Sequence, residues 1–276
     1  MYRTLSGKEP AEAVLSEIKA RVAKLGRSPK LVIVQVGDDP ASTTYVTSKL
    51  KKAAAVGISA ELRKLAKDAA EKELLSLVKE LNKDRSVDGF IVQTPLPKQM
   101  DEKAILDAVD PSKDVDGWTS ASAGRLFSGL DCFEPATPAG VMRMLDFYKV
   151  RIEGKHAVVV GRSNTVGKPM ALMLLARNAT VTICHSRTQD LAKHTSSADI
   201  IVAAVGKPGL ITADMVKEGA SIVDVGTTKV GEKLSGDVDF ASVIKKADCS
   251  PVPGGVGPLT VAMLINNVMK AAERRA

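Results

Sequence analysis

The chain has 276 residues, of which 45% are hydrophobic and 26% charged, and 39 Lys and Arg against 32 Asp and Glu give it a net charge of +7. This length suits two domains or one large α/β domain, and the composition is that of a soluble globular protein. The positive charge favours anionic partners, but an aromatic content of 3% argues against a stacking platform for nucleic acid. We therefore expect no nucleic-acid partner.

The cysteines and the apolar runs bear on the cellular compartment. Cys132, Cys184 and Cys249 stand far apart with no C-x-x-C pair, which predicts reduced thiols in a cytosolic protein. Charged residues interrupt every apolar stretch of the first 26 residues, so no signal peptide is expected. The longest apolar runs, such as "DIIVAAVG", have the length of a strand and are too short to cross a bilayer. We expect a cytoplasmic protein without a membrane partner.

Residues 30–93 alternate between strand and helix patterns. Strands are predicted at 30–37, 61–67 and 87–93, and helices at 40–56 and 70–83. Asp39 is the predicted N-cap of the first of these helices, Pro40 its first residue and Gly57 its end. The β-α-β-α-β order predicts a parallel sheet with right-handed crossovers.

A second series follows two irregular segments, 94–100 and 110–120, which are rich in Pro, Gly and Asp. A helix is predicted at 133–148. Strands predicted at 156–161, 180–186, 199–206 and 220–226 then alternate with helices, and a glycine–proline loop leads into a long terminal helix. The sequence therefore predicts a second α/β unit of parallel strands.

The segment "VVVGRSNTVGKPMALMLL" resembles a dinucleotide-binding turn. A strand ends at Val160, Gly161 permits a tight turn, and Gly167 permits close packing of the next helix, whose N-terminus would face a pyrophosphate. The fingerprint G-x-G-x-x-G is not met, because Ser163 takes the second glycine position. A purely structural turn is the alternative, but the strand before it and the helix after it favour a dinucleotide site.

The end of the next strand bears on which dinucleotide binds. NAD sites usually place an acidic residue there to accept a hydrogen bond from the ribose 2′-hydroxyl. This chain has His185, Ser186 and Arg187 instead, with Arg162 in the preceding loop. Hydroxyl and guanidinium groups suit a 2′-phosphate, so we predict NADP, the alternative being that Arg187 is a solvated loop residue.

Two features of the first half bear on catalysis. Tyr45, Lys49 and Lys52 share one face of a predicted helix, which the spacing alone leaves as either a solvated surface or a catalytic face. Asp114 and Asp116 flank a valine and would point the same way, which allows a pair of carboxylates or a metal site. The histidines show no ligand spacing, and we expect no metal; they are His156, His185 and His194.

Six segments together resemble the bifunctional methylenetetrahydrofolate dehydrogenase/cyclohydrolase family. They are "YVTSKLKKAAAVGI", "VDGFIVQTPLP", "DPSKDVDGWT", "TPAGVMRML", "VVVGRSNTVGKPMALML" and "PVPGGVGPLTVAML", and they follow the family's order over nearly the whole chain. The departures from the usual family residues are Ala136, Thr165 and Thr227.

The resemblance implies roles that the spacing alone leaves open. Lys49 would be the catalytic residue, Tyr45 would orient the pterin ring and the lysine, and Gln93 would bind the lysine. Asp116 would accept hydrogen bonds from the pterin, and backbone would contact the folate at Pro253, Gly254 and Gly255. The residues at the NADP site would be Gly161, Arg162, Ser163, Ser186, Arg187 and Thr227.

The resemblance also implies the architecture. We expect an α/β protein of two domains with a cleft between them: a folate-binding catalytic domain formed by residues 1–135 plus 258–276, and a Rossmann-like NADP-binding domain formed by residues 136–257. A homodimer that acts on tetrahydrofolate one-carbon derivatives, in a metabolism that supplies purine biosynthesis, is implied as well.

Three alternatives remain. The first is a monofunctional methylenetetrahydrofolate dehydrogenase. The second is another two-domain dehydrogenase, such as one acting on shikimate, against which the Tyr45–Lys49 helix combined with "VQTPLP" argues. The third is a non-catalytic dinucleotide sensor, which loss of Lys49 or Asp116 would have favoured; both are present.

Overall fold

The computed structural model describes residues 2–276. Its helices are α1 Lys8–Leu25, α2 Pro40–Ala55, α3 Glu71–Lys83, α4 Glu102–Asp107, α5 Ser120–Phe127, α6 Ala136–Phe147, α7 Gly167–Ala176, α8 Leu191–Thr195, α9 Phe240–Val243 and α10 Val256–Glu273. Its strands are β1 Lys30–Val36, β2 Ser59–Leu65, β3 Gly89–Val92, β4 His156–Val160, β5 Thr180–Cys184, β6 Ile200–Ala203, β7 Ser221–Asp224, β8 Thr228–Val230, β9 Lys233–Ser235 and β10 Asp248–Cys249. No helix among the described residues is both long and apolar enough to cross a membrane.

The chain divides into two compact units. The three-strand unit consists of Ala13–Ala136 and Val261–Ala276, and the five-strand unit consists of Met1–Glu12 and Thr137–Thr260. The domain limits expected from the sequence stay a prediction. They differ from these units mainly in the first twelve residues, and also at residue 136 and residues 258–260.

Backbone pairing explains that difference. Thr4 forms a parallel bridge with Cys249, and the Leu5 N–H donates to the Cys249 carbonyl at 2.9 Å. The Arg3 guanidinium donates to the Asp248 carboxylate at 2.7 and 2.8 Å. The first residues thus extend the five-stranded sheet at β10, a pairing too distant in sequence for local patterns to reveal.

The three-strand unit contains the parallel sheet predicted for residues 30–93, in the order β2-β1-β3. β1 lies in the middle and is buried along nearly its whole length, and α3 packs its apolar face, Leu74, Val78 and Leu81, into the same core. α2 begins as predicted, because the Asp39 carboxylate accepts a hydrogen bond from the Ser42 N–H at 2.8 Å and Pro40 is the first helical residue.

The five-strand unit contains a parallel sheet in the order β10-β7-β6-β4-β5. This confirms the second series of parallel strands. Its core combines side chains from β4, β6 and β7 with residues of the following segments; examples are Val158, Ile201, Ile222 and Val243.

The helix predicted between the strands at 199–206 and 220–226 is wrong. This segment contains only a single 3₁₀ turn, Ala213–Met215. Gly206 and Gly209 adopt φ of +69° and +65°, and Ile211 forms a parallel bridge with Val238, so the backbone between them bonds outside a helix. Helices α1, α4, α5 and α9 were not predicted; α5 begins next to an irregular segment, where the Thr119 hydroxyl accepts from the Ser122 N–H at 3.0 Å.

Candidate active site and dinucleotide site

Lys49 is the best-defined chemical feature of the three-strand unit. It lies on α2 and its residue is only 9% exposed, although its neighbours on the helix are largely solvated. Its ammonium Nζ donates a hydrogen bond to the Gln93 Oε1 at 3.0 Å. The Gln93 Nε2 donates in turn to the Thr94 carbonyl at 2.7 Å, which fixes the amide so that its oxygen faces the lysine.

The segment that follows α4 brings Asp116 close to Lys49 and Gln93 at the end of β3. Gln93 directly follows β3, and the segment carrying Asp114 and Asp116 runs parallel to the same strand through the Phe90–Asp114 bridge. The approach is close, because a Cβ added to Gly89 would lie 2.2 Å from the Val115 Cγ1.

Asp116 is a buried acid without a backbone partner. It is 8% exposed, and the hydrogen bonds that the Trp118 and Thr119 N–H groups and the Ser122 hydroxyl donate in this segment all go to Asp114, whereas none among the described residues ends on the Asp116 carboxylate. Burial raises the pKa of Asp116 to about 6; the charge of Lys49 lowers this pKa and that of Asp114 raises it. Burial lowers the pKa of Lys49, and the nearby charge of Asp116 opposes that shift. The two groups are therefore electrostatically coupled, and the uncharged form of each is easier to reach than in water.

Asp114 has a different role from Asp116, although the sequence places them symmetrically around Val115. Its carboxylate accepts three hydrogen bonds, from the Trp118 N–H at 3.1 Å, the Thr119 N–H at 2.9 Å and the Ser122 hydroxyl at 2.7 Å. These bonds fix the start of α5. Asp114 is thus a structural acid, and the two carboxylates do not form an acid–base pair with equivalent members.

Tyr45 and Lys52 complete the predicted helix face. Tyr45 is 44% exposed, one turn before Lys49 on α2, where its ring is open to a ligand. Lys52 is exposed. Lys49 is therefore the member of this face that the fold takes out of solvent.

Asn267 supports the Asp116 segment, and sequence reasoning missed it. It lies on α10 and is 1% exposed, and its Nδ2 donates to the Val115 carbonyl at 2.9 Å and the Glu134 carbonyl at 2.8 Å. A polar residue in an otherwise apolar stretch of helix was the available signal, but its partners are more than a hundred residues away.

The five-strand unit carries the predicted dinucleotide turn directly after β4. Gly161 has φ of +136°, and a Cβ there would lie 2.3 Å from the Ala204 carbonyl oxygen. A Cβ on Gly167 would lie 2.4 Å from the Gly161 oxygen. The Ser163 hydroxyl accepts from the Val166 and Gly167 N–H groups at 3.2 and 3.3 Å, so Ser163 shapes the turn at the start of α7. Because Gly161 and Gly167 carry no side chain, a phosphate group can approach the backbone of this turn.

The predicted cationic residues lie at the same edge of the sheet. β4 and β5 are neighbours with Val160 opposite Cys184, so Arg162 and Ser186 each follow a paired position by two residues. Arg162, Ser186 and Arg187 are all exposed, and the Arg187 N–H donates to the His185 Nδ1 at 3.2 Å. The structure thus brings these side chains to one edge and leaves their polar groups open to an anion.

The other predicted ligand-binding residues also lie in the five-strand unit. Thr227 is exposed and follows β7. Gly254 and Gly255 precede α10 and contact the N-terminal segment: the Gly7 N–H donates to the Gly254 carbonyl at 2.9 Å, and a Cβ on Gly7 would lie 1.7 Å from the Gly255 oxygen. Pro253 is exposed. Tyr45 and Asp116 belong to the three-strand unit, so a substrate-binding role shared among these five residues stays a prediction.

Comparison with known proteins identifies the family. Residues 5–116 match the model of the tetrahydrofolate dehydrogenase/cyclohydrolase catalytic domain, and residues 135–276 match the model of the family's NAD(P)-binding domain. The chain belongs to the tetrahydrofolate dehydrogenase/cyclohydrolase family.

Individual members of the family align along their full length. The bifunctional protein FolD of Moorella thermoacetica is 53% identical over 275 residues, which cover 98% of each chain. The crystal structure of the bifunctional FolD from Campylobacter jejuni is 44% identical, with a TM-score of 0.98 and full coverage of both chains. A Trypanosoma brucei member, solved with NADP and an inhibitor, is 36% identical with a TM-score of 0.95, covering 99% of this chain and 98% of that one.

The donor groups of the five-strand unit fit NADP, the dinucleotide with which the Trypanosoma brucei member was solved. Bare backbone at Gly161 and Gly167 suits a pyrophosphate, and exposed guanidinium groups at the ends of β4 and β5 suit a further phosphate. The described residues contain no group of three or more His, Cys, Asp or Glu side chains that could hold a metal ion.

The raised pKa of Asp116 predicts a pH-dependent stability. Because the pKa is about 6 in the folded protein and 3.8 ordinarily, folding favours the protonated acid. That contribution is complete below an ordinary carboxyl pKa of about 4 and is lost as the pH rises through about 6. Asp116→Asn should therefore match the parent near pH 4 and exceed its free energy of unfolding near pH 7.5 by on the order of 1–3 kcal/mol.

Urea unfolding of the ligand-free protein across this pH range measures the difference. Asp68→Asn, a change at an exposed carboxylate, is the matched control and should follow the parent at every pH. A parent and an Asp116→Asn variant with parallel pH profiles would contradict the assignment of Asp116 as a buried acid.

Proposed function

We propose that the protein is a bifunctional one-carbon folate enzyme. It oxidises 5,10-methylenetetrahydrofolate to 5,10-methenyltetrahydrofolate with NADP and hydrolyses that product to 10-formyltetrahydrofolate, a one-carbon donor of the kind that purine biosynthesis requires. The observation that carries the proposal is the buried Lys49, held by Gln93 and coupled to Asp116.

For the oxidation, the protein needs only to position the folate and the dinucleotide for hydride transfer. Hydride leaves a carbon that lies between two nitrogens, and those nitrogens stabilise the resulting methenyl cation, so no proton has to move. NADP, when bound, supplies the hydride acceptor. Tyr45 stacks against and orients the pterin, while Asp116 accepts hydrogen bonds from the pterin N–H groups, a role for which its unpartnered carboxylate is suited.

The hydrolysis asks for proton transfer as well. Water adds to the methenyl cation, and a proton must be removed and another delivered as the ring opens. Lys49 serves this step because burial lowers its pKa, which makes its neutral form easier to reach than that of a lysine in water. Gln93 keeps Nζ in place through the hydrogen bond of 3.0 Å, and the positive substrate would lower the pKa of Lys49 further.

In the five-strand unit, Gly161 and Ser163 form the turn that receives the pyrophosphate, and Thr227 lies on a neighbouring loop. Arg162, Ser186 and Arg187 bind the 2′-phosphate. The backbone at Pro253, Gly254 and Gly255 contacts the folate.

The proposal extends to a cytoplasmic homodimer. Cys132, Cys184 and Cys249 are free thiols, as is usual in a reducing compartment, and fractionation of cells would test the location. β5 is the terminal strand of the five-stranded sheet, and Leu175 and Ile183 near it are 58% and 42% exposed, so this edge is suited to a second copy of the chain.

The dimer predicts a particle of twice the chain mass of 29.1 kDa. Light scattering on a size-exclusion column at micromolar concentration measures it. Ile183→Lys places a charge at the edge strand and should shift the particle toward the monomer, whereas Leu62→Lys, at an exposed apolar residue of the other unit, should not. A monomeric parent would exclude the dimer.

The exposed guanidinium groups predict a preference for NADP over NAD. Arg187→Ala should lower kcat/KM for NADP by roughly 10- to 100-fold, the value of one or two charge-assisted hydrogen bonds, and should leave kcat/KM for NAD nearly unchanged. Arg151→Ala removes an exposed guanidinium that precedes β4, and should alter neither constant. Equal use of the two dinucleotides by the parent would show that the three residues face solvent.

The decisive prediction concerns Lys49→Gln. Glutamine retains a polar side chain but transfers no proton, so cyclohydrolase activity should fall by roughly 10²–10⁴-fold, the usual contribution of a general acid–base group. Dehydrogenase activity should fall less, because the oxidation requires only geometry, and methenyltetrahydrofolate should accumulate. The parent should produce NADPH without that accumulation.

Separate absorbance assays of NADPH and methenyltetrahydrofolate, with the uncatalysed hydrolysis subtracted, measure both steps. Lys52→Gln, the same change at an exposed lysine three residues further along α2, is the control and should retain both activities. Hydrolysis by Lys49→Gln at the parent rate would remove the proposed catalytic role. Equal loss of both activities in a folded variant would make Lys49 a positioning residue.

A further inference from the structure

Two carboxylates of the five-strand unit are buried and take no part in the chemistry above. Asp237 is fully buried, and its carboxylate accepts hydrogen bonds from three consecutive backbone N–H groups: those of Val205 at 2.6 Å, Gly206 at 3.1 Å and Lys207 at 2.7 Å. One side chain thus fixes three peptide units of the loop that follows β6.

Asp224, at the end of β7, holds Asp237 in place. Its carboxylate accepts from the Asp237 and Val238 N–H groups, both at 2.9 Å, and from the Gly226 N–H at 3.0 Å. The two acids therefore act in series: Asp224 fixes the backbone of Asp237, and the Asp237 carboxylate fixes the loop. We call this series of backbone hydrogen bonds the Asp224–Asp237 relay.

The packing around the relay leaves no space for larger residues. A Cβ on Gly226 would lie 2.3 Å from the Asp237 carboxyl group, and a Cβ on Gly236 would lie 1.9 Å from the Asp224 Oδ2. The backbone therefore approaches both carboxylates as closely as glycine allows, and the loop has little freedom to shift while the hydrogen bonds persist.

The loop held by Asp237 lies where a parallel sheet binds its ligand. The chain passes from β4 to β5 on one side of β4 and then continues with β6 on the other side, so the strand order reverses between β4 and β6. Ligands of such sheets bind at this reversal, outside the carboxyl ends of the strands. The turn at Gly161 follows β4, the loop Val205–Lys207 follows β6, and the two are in contact through the Ala204 carbonyl.

We propose that Asp237 is a positioning residue for the dinucleotide: by binding the N–H groups of Val205, Gly206 and Lys207 it fixes the loop that forms one wall of the NADP site. The proposal rests on the proposed function for the identity of the ligand. Asp237 lies behind the loop and acts on NADP through the backbone.

Asp237→Asn tests this role with little change of shape. The amide removes one acceptor and places a donor against the loop's own donors, so the loop should lose its fixed position. We expect the Kd for NADP, measured by titration, and the KM for NADP each to rise by roughly 10-fold or more. Hydrolysis of methenyltetrahydrofolate uses no dinucleotide, so its kcat and KM should stay close to those of the parent. Asp239→Asn, at a half-buried acid that caps no N–H group of α9, is the matched control and should leave NADP binding unchanged.

Amide hydrogen exchange provides a readout that a general loss of stability would not reproduce. In the parent, the amides of Val205 and Lys207 should be protected; in Asp237→Asn they should exchange faster, while the amides of β4 and β6 keep their protection. Faster exchange throughout the sheet, or equal loss of both activities, would assign Asp237 a merely structural role and overturn the proposal. An unchanged Kd for NADP would overturn it as well.

Asp224→Asn keeps the test valid if Asp237→Asn does not fold. It acts on the loop through one further step, so a smaller increase in the Kd for NADP is expected, again with hydrolysis retained; no increase would contradict the relay. The parent distinguishes this inference from the proposed function. A parent that binds NADP but catalyses neither reaction would refute the function, whereas the Kd and exchange measurements would still decide the role of Asp237.

Discussion

The burial of one ammonium group, that of Lys49, organises the three-strand unit. A charged group removed from water destabilises the fold unless a partner compensates, and here Gln93 supplies a hydrogen bond and Asp116 an opposite charge. Compensation is incomplete, because the pKa of Lys49 is lowered and that of Asp116 is raised to about 6. Residues that destabilise the free protein in this way are typical of active sites. The segment that carries Asp116 is held in place by the close approach of Val115 to Gly89 and by the hydrogen bond from the Asn267 Nδ2 to the Val115 carbonyl.

The buried acids separate into two classes according to their donors. Asp114 accepts three hydrogen bonds, and Asp237 and Asp224 each accept hydrogen bonds from three backbone N–H groups. All three carboxylates therefore fix loops through these bonds. Asp116 has comparable burial and no such donors in the described part of the chain. A buried carboxylate that accepts no internal hydrogen bond is unfavourable unless a ligand supplies the donors. The difference in partners, more than burial or pKa, distinguishes the acid proposed to meet substrate from those that maintain the protein.

Local signals in the sequence were sufficient for much of the fold. The N-cap Asp39, Pro40 at the first turn of α2 and the apolar runs of β1 and β4 each specify their own structure, and the six motifs identify the family. Contacts between distant segments could not be predicted from local patterns. Examples are the pairing of Thr4 with Cys249, the hydrogen bonds of Asn267 and the relay through Asp237, each of which joins residues far apart in the sequence. The helix wrongly predicted after β6 has the same origin, because the bridge from Ile211 to Val238 determines that segment. Lys49 shows the limit most clearly, since its spacing fits a solvated helix face, and only the approach of Gln93 and Asp116 in space removes it from water.

Under the proposed function, the coupling of Lys49 and Asp116 would explain how a single site supports two reactions with different requirements. Hydride transfer needs fixed geometry, which a hydrogen-bonded lysine and a buried carboxylate provide in their charged forms. Hydrolysis needs a group that gains and loses a proton at little cost, and the same burial that lowers the pKa of Lys49 makes its neutral form easier to reach than in water. A fully solvated lysine would meet neither need, because it would be mobile and almost always protonated near neutral pH. A fully compensated buried pair would be well positioned but too stable in its charged state to exchange protons. Partial compensation, with one neutral hydrogen-bond partner and one acid whose own pKa is raised, lies between these limits, and the roles proposed for Lys49 and Asp116 require this intermediate state.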